Sequence, residues 1–237
     1  MNTSVRRLTL ALAATVAMLA TSVANASSIG PVASTTLNGN TGTAVSGAPT
    51  VYASDNFTGT TGSTLNGRIL TLGGGTWSVA AGTWTINATN EAQITGVALG
   101  RAITVTGRPN ARIIATVFDG GTNARTSGVV LRSSNNALTF LSAYTQSGSS
   151  NRLHIARRQG GTSTILVTVS GIIFTNPATF AVELNGANII VSYNGTVVIN
   201  YTLTAADQTT FGSLGGHGLL NDNAGTIRYD NFRVESL

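Results

Sequence analysis

Short runs rich in valine, isoleucine, threonine and aromatic residues recur along the chain, and glycine or asparagine separates one run from the next. Apolar residues tend to occupy every second position of these runs, which is the pattern of a strand that buries one face. The clearest example lies at 180–201, where Asn185-Gly186 and Asn194-Gly195 divide three runs. Asparagine and glycine both tolerate the positive φ of a type I′ turn, so this segment is predicted to be a three-stranded β-meander.

A helical period is almost absent, since the best candidate, Thr204–Asp207, lasts four residues before the threonines resume. Many short strands joined by glycine- and asparagine-rich turns favour an all-β sandwich or barrel. The predicted strands span residues 111–118, 137–144, 151–157, 163–170, 178–184, 188–193, 196–201 and 226–234.

Residues 1–26 have the features of a secretory signal peptide. Arg6 and Arg7 precede a 13-residue apolar run from Leu8 to Ala20, and Ala24-Asn25-Ala26 then supplies the small residues that signal peptidase accepts. This run is shorter than the roughly 18 residues of a spanning helix, and no later segment is apolar over that length. We therefore expect a secreted protein without a membrane span, located outside the cell, at the cell surface or in the periplasm.

Residues 27–50 are dominated by serine, threonine, glycine, asparagine and alanine, and they carry no charge. Such a segment buries too little apolar area to offset the entropy of ordering, so it is predicted to be a flexible linker. The remaining residues, 51–237, have a suitable length for one domain with a single core.

Arginine supplies all 13 basic residues of the chain, which contains no lysine. Without Arg6 and Arg7, eleven arginines face eight acids, so the net charge is +3 instead of +5. Eight of the arginines lie between residues 101 and 158 beside one acid, whereas five acids and two arginines lie from Glu183 onward. The domain is expected to be dipolar, and its small net charge argues against a nucleic-acid partner.

Four motifs in the predicted domain carry a family resemblance. They are, in order, Asp55-Asn56-Phe57, the Gly-Thr-Trp triplets at 75–77 and 82–84, the meander at 180–201, and Gly216-His217-Gly218-Leu219 leading into Tyr229–Val234. The set resembles the concanavalin A-like lectin/glucanase superfamily, in particular bacterial secreted laminin-G-like jelly rolls. This resemblance implies an all-β fold, a two-sheet antiparallel jelly-roll β-sandwich with one concave sheet and paired terminal strands. Members include lectins, carbohydrate-binding modules, glycosidases and adhesion domains, so the fold leaves the function open.

The acidic residues argue against an enzyme. A typical glycosidase needs two carboxyl groups about 5 to 9 Å apart, and family glycosidases take two glutamates and an aspartate from one strand. The chain has no such cluster, because its closest acids, Asp230 and Glu235, are five residues apart and point to opposite faces of a regular strand. No catalytic residue is therefore predicted. A degenerate glycoside hydrolase, built from acids that are distant in sequence, is the alternative.

Other reactive groups are scarce. With no cysteine and only His154 and His217, the chain has neither a thiol nucleophile nor a histidine-rich metal site. Both histidines are expected to be surface or turn residues rather than catalytic ones. Calcium is the one cofactor under consideration, because Asp55 and Asp230 would lie on neighbouring terminal strands and could supply oxygen ligands. In the other interpretation, these aspartates bond backbone N–H groups or pair with nearby arginines.

Two groups of side chains are candidates for ligand binding. On strand 151–158, alternation puts Arg152, His154 and Arg158 on one face, and guanidinium groups bind carboxylate, sulfate and phosphate in a bidentate manner. A solvated strand face is the competing interpretation. Tyr144 and Tyr201, each at a strand end, suit a sugar-stacking site at a loop rim, whereas Trp77 and Trp84 are expected to pack between the sheets.

These observations predict a non-catalytic extracellular carbohydrate-binding or adhesion module, whose partner is a polysaccharide or an anionic cell-envelope polymer. The alternative from a different class is a structural subunit of a surface layer, fibre or biofilm matrix. Low charge and threonine-rich strands suit self-assembly through sheet edges, with residues 27–50 as a donor strand.

Overall fold

The structure is a computed structural model, which describes residues 47–118, 126–146, 151–221 and 227–237, with the side chains of residues 96–98 excepted. The predicted signal peptide and most of the predicted linker lie outside these residues. All the described residues belong to one unit, Gly47–Leu237. Within the described part of the chain, no helix has both the length and the apolar character needed to cross a membrane.

Antiparallel strands account for nearly all of the regular structure in the described residues, and one short helix, α1, spans Ala205–Phe211. The strands are β1 (Val51–Asp55), β2 (Ser78–Ile86), β3 (Ala92–Val105), β4 (Ala111–Phe118), β5 (Thr126–Ser133), β6 (Phe140–Gln146), β7 (Arg152–Gln159), β8 (Thr162–Ser170), β9 (Ala178–Asn185), β10 (Asn188–Tyr193), β11 (Thr196–Thr202), β12 (Gly216–Asn221) and β13 (Arg228–Glu235).

Two sheets share these strands. The first sheet runs β11-β10-β9-β4-β13, and β1 pairs with the second half of β13, so the first and last strands are neighbours as predicted. The second sheet runs β3-β12-β5-β6-β7-β8, with β2 along the remaining side of β3. Strand β3 joins the sheets, because Ala92 and Gln93 pair with β13 whereas Gly100–Val105 pair with β12.

Alternating side chains from both sheets meet in one apolar core. In β4 of the first sheet, every second residue is buried. The same cluster receives residues at alternate positions of β5, β6 and β7 in the second sheet. Burial of one face of each sheet against the other makes a two-layer sandwich, which is what the period-two pattern predicts. The contributing residues include Ile113, Ala115, Val182, Leu184, Val129, Leu131, Leu141, Ala143, Leu153 and Ile155.

Residues from three of the motifs behind the family resemblance meet around Asp55, which is buried at the end of β1. The indole N–H of Trp77 donates to Asp55 Oδ2 over 2.8 Å, and the Trp77 ring lies 5.8 Å from the ring of Phe57 and 4.9 Å from that of Phe232. Trp77 and Trp84 are each 1% exposed, which confirms the prediction that the tryptophans pack in the core.

Helix α1 is longer than the predicted four-residue turn. Thr204 caps it by accepting a hydrogen bond from the backbone N–H of Asp207. The threonines that suggested its end instead donate their hydroxyl groups back to helix carbonyls, Thr209 to Ala205 and Thr210 to Ala206. Burial of the final residue, Phe211, then anchors the helix to the core, so tertiary packing outweighs the low helix propensity of threonine.

The meander at 180–201 is confirmed as β9–β11, but only one of its two turns has the predicted form. Asn194 and Gly195 both have positive φ, at 50° and 77°, as a type I′ turn requires. In the other turn Asn185 still belongs to β9 and pairs with Asn188, and Gly186, with φ of 55°, is the first central residue. That position suits a type II′ turn, so the prediction was wrong by one residue there.

Strands β2, β3, β5 and β12 were missed because each contains glycine, which suggests a turn in a sequence. In this sandwich the glycines lie where neighbouring strands approach closely. A Cβ at Gly128 of β5 would lie 2.2 Å from the carbonyl oxygen of Ala143 in β6, and a Cβ at Gly218 of β12 would lie 1.9 Å from that of Ala102 in β3. Both positions exclude any larger residue without movement of the backbone.

Candidate functional site

A cleft of about 270 Å³ opens on the outer face of the second sheet, the face turned away from the shared core. It lies over β5, β6 and β7 and extends to β8 and β12. Its lining includes Leu99, Phe140, Ser142, Tyr144, Arg158 and Leu220.

Strand alternation creates this face. In β6, Leu141 and Ala143 point into the core, so Phe140, Ser142 and Tyr144 point outward into the cleft. In β7 the inward residues are Leu153 and Ile155, which leaves Arg152, His154, Ala156 and Arg158 on the outer side, as the sequence predicts for the basic residues. Each outward residue of β6 is paired with an outward residue of β7.

A second apolar cluster lies under the cleft and lines it through Phe140 and Leu220. Its buried members come from four neighbouring strands and the β5–β6 connection. Leu99 packs against it because β3 bulges, its pairing with β2 passing from Gly96 to Arg101, and Leu99 has a φ of 60°. An apolar floor with a few polar groups at its edge is the usual composition of a small-molecule site. The buried members are Ile103, Val130, Ala137, Phe140 and Leu220.

Tyr144 and His154 stand opposite each other on β6 and β7, with ring centroids 5.1 Å apart. His154 is only 2% exposed, and its nitrogens are bound to Thr168 Oγ1 at 2.8 Å and Gln146 Oε1 at 3.1 Å. Burial, and then the charge of Arg152, lower the pKa of His154, so the ring is neutral at pH 7. The prediction of a surface histidine was therefore wrong, because His154 is buried beside the half-buried ring of Tyr144.

Arg158 lines the cleft, and Arg101 contacts Phe140, one of its lining residues. Arg158 lies opposite Phe140 in the β6–β7 pairing and donates from Nη1 to Ser163 Oγ over 3.2 Å. Arg101 approaches from β3, and its guanidinium carbon lies 5.4 Å from the centroid of the Phe140 ring. Burial, and then the charge of Arg158, lower the pKa of Arg101 from its ordinary value. Phe140 is therefore in contact with the Arg101 guanidinium and is the strand partner of Arg158.

Other predicted ligand residues lie elsewhere. Arg152 is exposed at the opposite end of β7 from Arg158, about 20 Å away along a strand of this length. Tyr201 lies on β11 of the first sheet and packs, half-buried, against the core. Of the five predicted ligand residues, the structure places Tyr144 and Arg158 in the cleft and His154 beside it.

Sequence analysis did not single out Arg101, Phe140, Ser142 or Leu220. A signal existed for the β6 residues, since Phe140, Ser142 and Tyr144 alternate within a predicted strand. No comparable signal existed for Arg101, because its place depends on the pairing of β3 with β12.

The aspartates of the calcium prediction lie on paired strands, β1 and β13. Both carboxylate oxygens of Asp55 already accept hydrogen bonds, from Arg68 Nε at 2.9 Å and Nη2 at 3.0 Å, Trp77 Nε1 at 2.8 Å and a backbone N–H. Asp230 accepts from the backbone N–H of Asn231 at 2.7 Å. No three acidic or histidine side chains among the described residues form a group that could hold a metal ion. Calcium binding stays a prediction.

The acids distant in sequence partly converge, although away from the cleft. Burial raises the pKa of Asp230, and the negative charges of Glu91 and Asp55 raise it further, against a hydrogen bond from Asn231. Glu91 itself is bound to Arg228 over 2.7 Å. Of the acids in the described ranges, none lines the cleft, whereas Asp119 and Asp222 lie outside those ranges.

No protein-family model and no curated protein matches the sequence. Solved structures share the fold. A CBM66 carbohydrate-binding module from Bacillus subtilis has a TM-score of 0.56 and 13% identity over 68% of this chain and 95% of that one. An apo Crh5 transglycosylase has a TM-score of 0.51 and 15% identity over 80% of this chain and 88% of that one. A structure from work on endo-acting O-glycanases of the human gut microbiota has a TM-score of 0.53 and 12% identity over 79% of this chain and 100% of that one. Likeness at such low identity confirms the jelly-roll β-sandwich fold alone.

Proposed function

We propose that this protein is a non-catalytic extracellular module that binds a glycan in the cleft on the outer face of the second sheet. The observation that carries the proposal is the composition of the cleft: an apolar floor, the half-buried ring of Tyr144, and polar groups from Ser142, Gln146 and Arg158. A sugar ring presents an apolar C–H face and a rim of hydroxyl groups, which matches such a lining.

Solved structures with this fold give the proposal further support. They include a carbohydrate-binding module and a transglycosylase. Because the fold hosts both binding and catalysis, the choice between them rests on the site.

The non-catalytic part of the proposal rests on the carboxyl groups. Glycosidic bond cleavage by the usual route needs two of them facing the substrate. Within the described residues, the cleft has no carboxyl lining, and the buried carboxylates of Asp55, Glu91 and Asp207 pair with Arg68, Arg228 and Arg157. Carboxylates that are bound to arginines away from the cleft do not face a ligand in it, so they are badly placed to protonate a leaving group there.

A glycan array with the full secreted chain tests the proposal. We expect specific hits, and Tyr144→Ala should lower the affinity for them about fivefold, because an aromatic platform contributes on the order of 1 kcal/mol. Tyr201→Ala is the matched control: it removes the same ring from the first sheet and should leave binding unchanged. An array without hits, obtained with protein that a thermal melt shows to be folded, would refute the proposal.

Strand edges favour the second candidate, a structural subunit that self-assembles. Strands β8 and β11 end the strand order, and each has one paired neighbour among the described strands. Most side chains of β8 are exposed, including Ile165 at 53%, and Val197 of β11 is 59% exposed. Exposed edges with apolar side chains are templates for pairing with another chain.

Negative-stain microscopy and light scattering across a concentration series test this candidate. Assembly predicts filaments that disappear when Ile165→Lys places a charge on the edge strand. A monodisperse monomer at high concentration would refute assembly and leave the glycan-binding proposal unaffected.

A further inference from the structure

We infer that the cleft recognises an acidic sugar, whose carboxylate or sulfate group binds between the guanidinium groups of Arg101 and Arg158. The inference rests on the proposed glycan-binding function and specifies the class of ligand.

The path of the Arg101 side chain is the first argument. Arg101 of β3 pairs directly with Leu220 of β12, which lines the cleft, so both side chains point to the outer face. Phe140 lies on β6, beyond both β12 and β5. The two side chains nevertheless meet, because the guanidinium carbon of Arg101 lies 5.4 Å from the centroid of the Phe140 ring.

The unused donors of Arg101 are the second argument. Its residue is 7% exposed, yet Nε and Nη1 are buried and have no hydrogen-bond partner among the described atoms. A buried guanidinium without an acceptor is costly, so buried charges are normally paired. The stacking on Phe140 compensates part of that cost and leaves the donors available.

Arg132 shows how this fold treats an arginine with a structural role. It is fully buried, and its guanidinium donates to the carbonyls of Pro109 and Gly186, to Asn110 Oδ1 and to Gln208 Oε1. All three of its nitrogens therefore have acceptors. Arg101 lacks such acceptors among the described atoms. This difference is expected between an arginine that stabilises the fold and one that binds an anionic ligand.

Arg158 completes the site. Its Nε is likewise buried and without a partner among the described atoms, and its charge acts on Arg101. Two neighbouring cations repel each other, and an anion between them removes that repulsion and accepts from both forks. Arg157 also lines the cleft, but its guanidinium is already bound to Asp207. The anion-binding capacity therefore belongs to Arg101 and Arg158.

Matched charged and neutral sugars test the inference. The probes are trigalacturonate with its methyl ester, which compares carboxylate with neutral sugar, and a sulfated hexose disaccharide with its unsulfated form. We expect the full chain to bind at least one charged member more than tenfold tighter than its neutral counterpart in calorimetry, with an affinity that falls as salt rises. The two pairs distinguish a carboxylate from a sulfate ligand.

Variants assign the effect to residues. Arg101→Met and Arg158→Gln should each lower the affinity for the charged probe by roughly ten- to a hundredfold, as expected for hydrogen bonds to a charged group. Arg112→Gln is the control, because it removes the same charge from β4 of the first sheet. Without ligand, Arg101→Met should melt no lower than the wild type, since it deletes a buried charge that lacks an acceptor.

Equal affinity for charged and neutral members, with no effect of Arg101→Met, would overturn the inference while glycan binding stands. Equal losses in Arg101→Met and Arg112→Gln would also overturn it, because the effect would then be one of net charge. A protein that binds no glycan at all would refute the proposed function together with this inference.

Discussion

Protonation of His217 should destabilise the protein as the pH falls below about 6.5. His217 lies on β12 and is fully buried, contrary to the expectation of a surface or turn residue. Its Nε2 lies 2.8 Å from the carbonyl oxygen of Arg108, which makes Nε2 the protonated nitrogen, and Nδ1 has no partner among the described atoms. A second proton would therefore sit on Nδ1 in an apolar site that also contains the charge of Arg132.

The magnitude follows from the pKa of His217. Burial lowers this pKa from 6.5 to about 4, the hydrogen bond to Arg108 acts in the opposite direction, and the charge of Arg132 lowers it further. In the unfolded chain the imidazole of His217 takes up a proton near pH 6.5, whereas in the folded protein this imidazole stays neutral until about pH 4. Stability is thus complete above pH 6.5 and is lost as the pH falls toward 4. The loss is about 3 kcal/mol in full and about 2 kcal/mol between pH 7 and pH 5.

Urea unfolding at pH 7 and pH 5 measures this loss, with the fluorescence of the two buried tryptophans as the signal. His217→Gln is the informative variant, because the glutamine amide can still donate to the Arg108 carbonyl but does not titrate. His154 also has a lowered pKa and contributes to the slope of both proteins, so the difference between them isolates His217. Parallel loss of stability in wild type and His217→Gln would refute this account.

Two further predictions concern the buried Asp55. Trp77→Phe should destabilise the protein by about 1 kcal/mol more than Trp84→Phe, because the first change removes a hydrogen bond to a carboxylate and the second one to a neutral carbonyl; similar urea midpoints for the two variants would contradict this. Adding a chelator should leave the melting temperature unchanged, since Arg68 and Trp77 already donate to both oxygens of Asp55, and a fall of several degrees would instead support calcium binding.

Local patterns in the sequence predicted most of the strands. Two of them, Ala111–Phe118 and Asn188–Tyr193, begin and end where the pattern places them. Alternation is a property of the individual strand, because successive side chains point to opposite faces whatever the strand pairs with. The strand predictions failed where tertiary contacts decide the local conformation. Gly128 is an example, because glycine favours turns in a sequence but here lies inside a strand that is closely packed against its neighbour.

The candidate site was predictable only in part, for the same reason. The pattern of β7 placed Arg158 and His154 on one face, and that placement agrees with the structure. It did not reveal that His154 is buried, since burial depends on Gln146 and Thr168 from the adjacent strands. Hydrogen bonding across strands is invisible to a pattern read along one of them.

The sequence by itself determined the all-β class, the alternation of faces and the concentration of arginine in the middle of the chain, because these follow from residue types and near neighbours. Only the tertiary structure decided which arginines matter. The fold places the guanidinium of Arg101 from β3 beside the ring of Phe140, the strand partner of Arg158, and it places Asp207 of α1 beside Arg157. Among the described residues, Arg157 thus has an acidic partner, whereas Arg101 and Arg158 have none. The three arginines look alike in the sequence, but electrostatic and hydrogen-bond energies depend on distances in space.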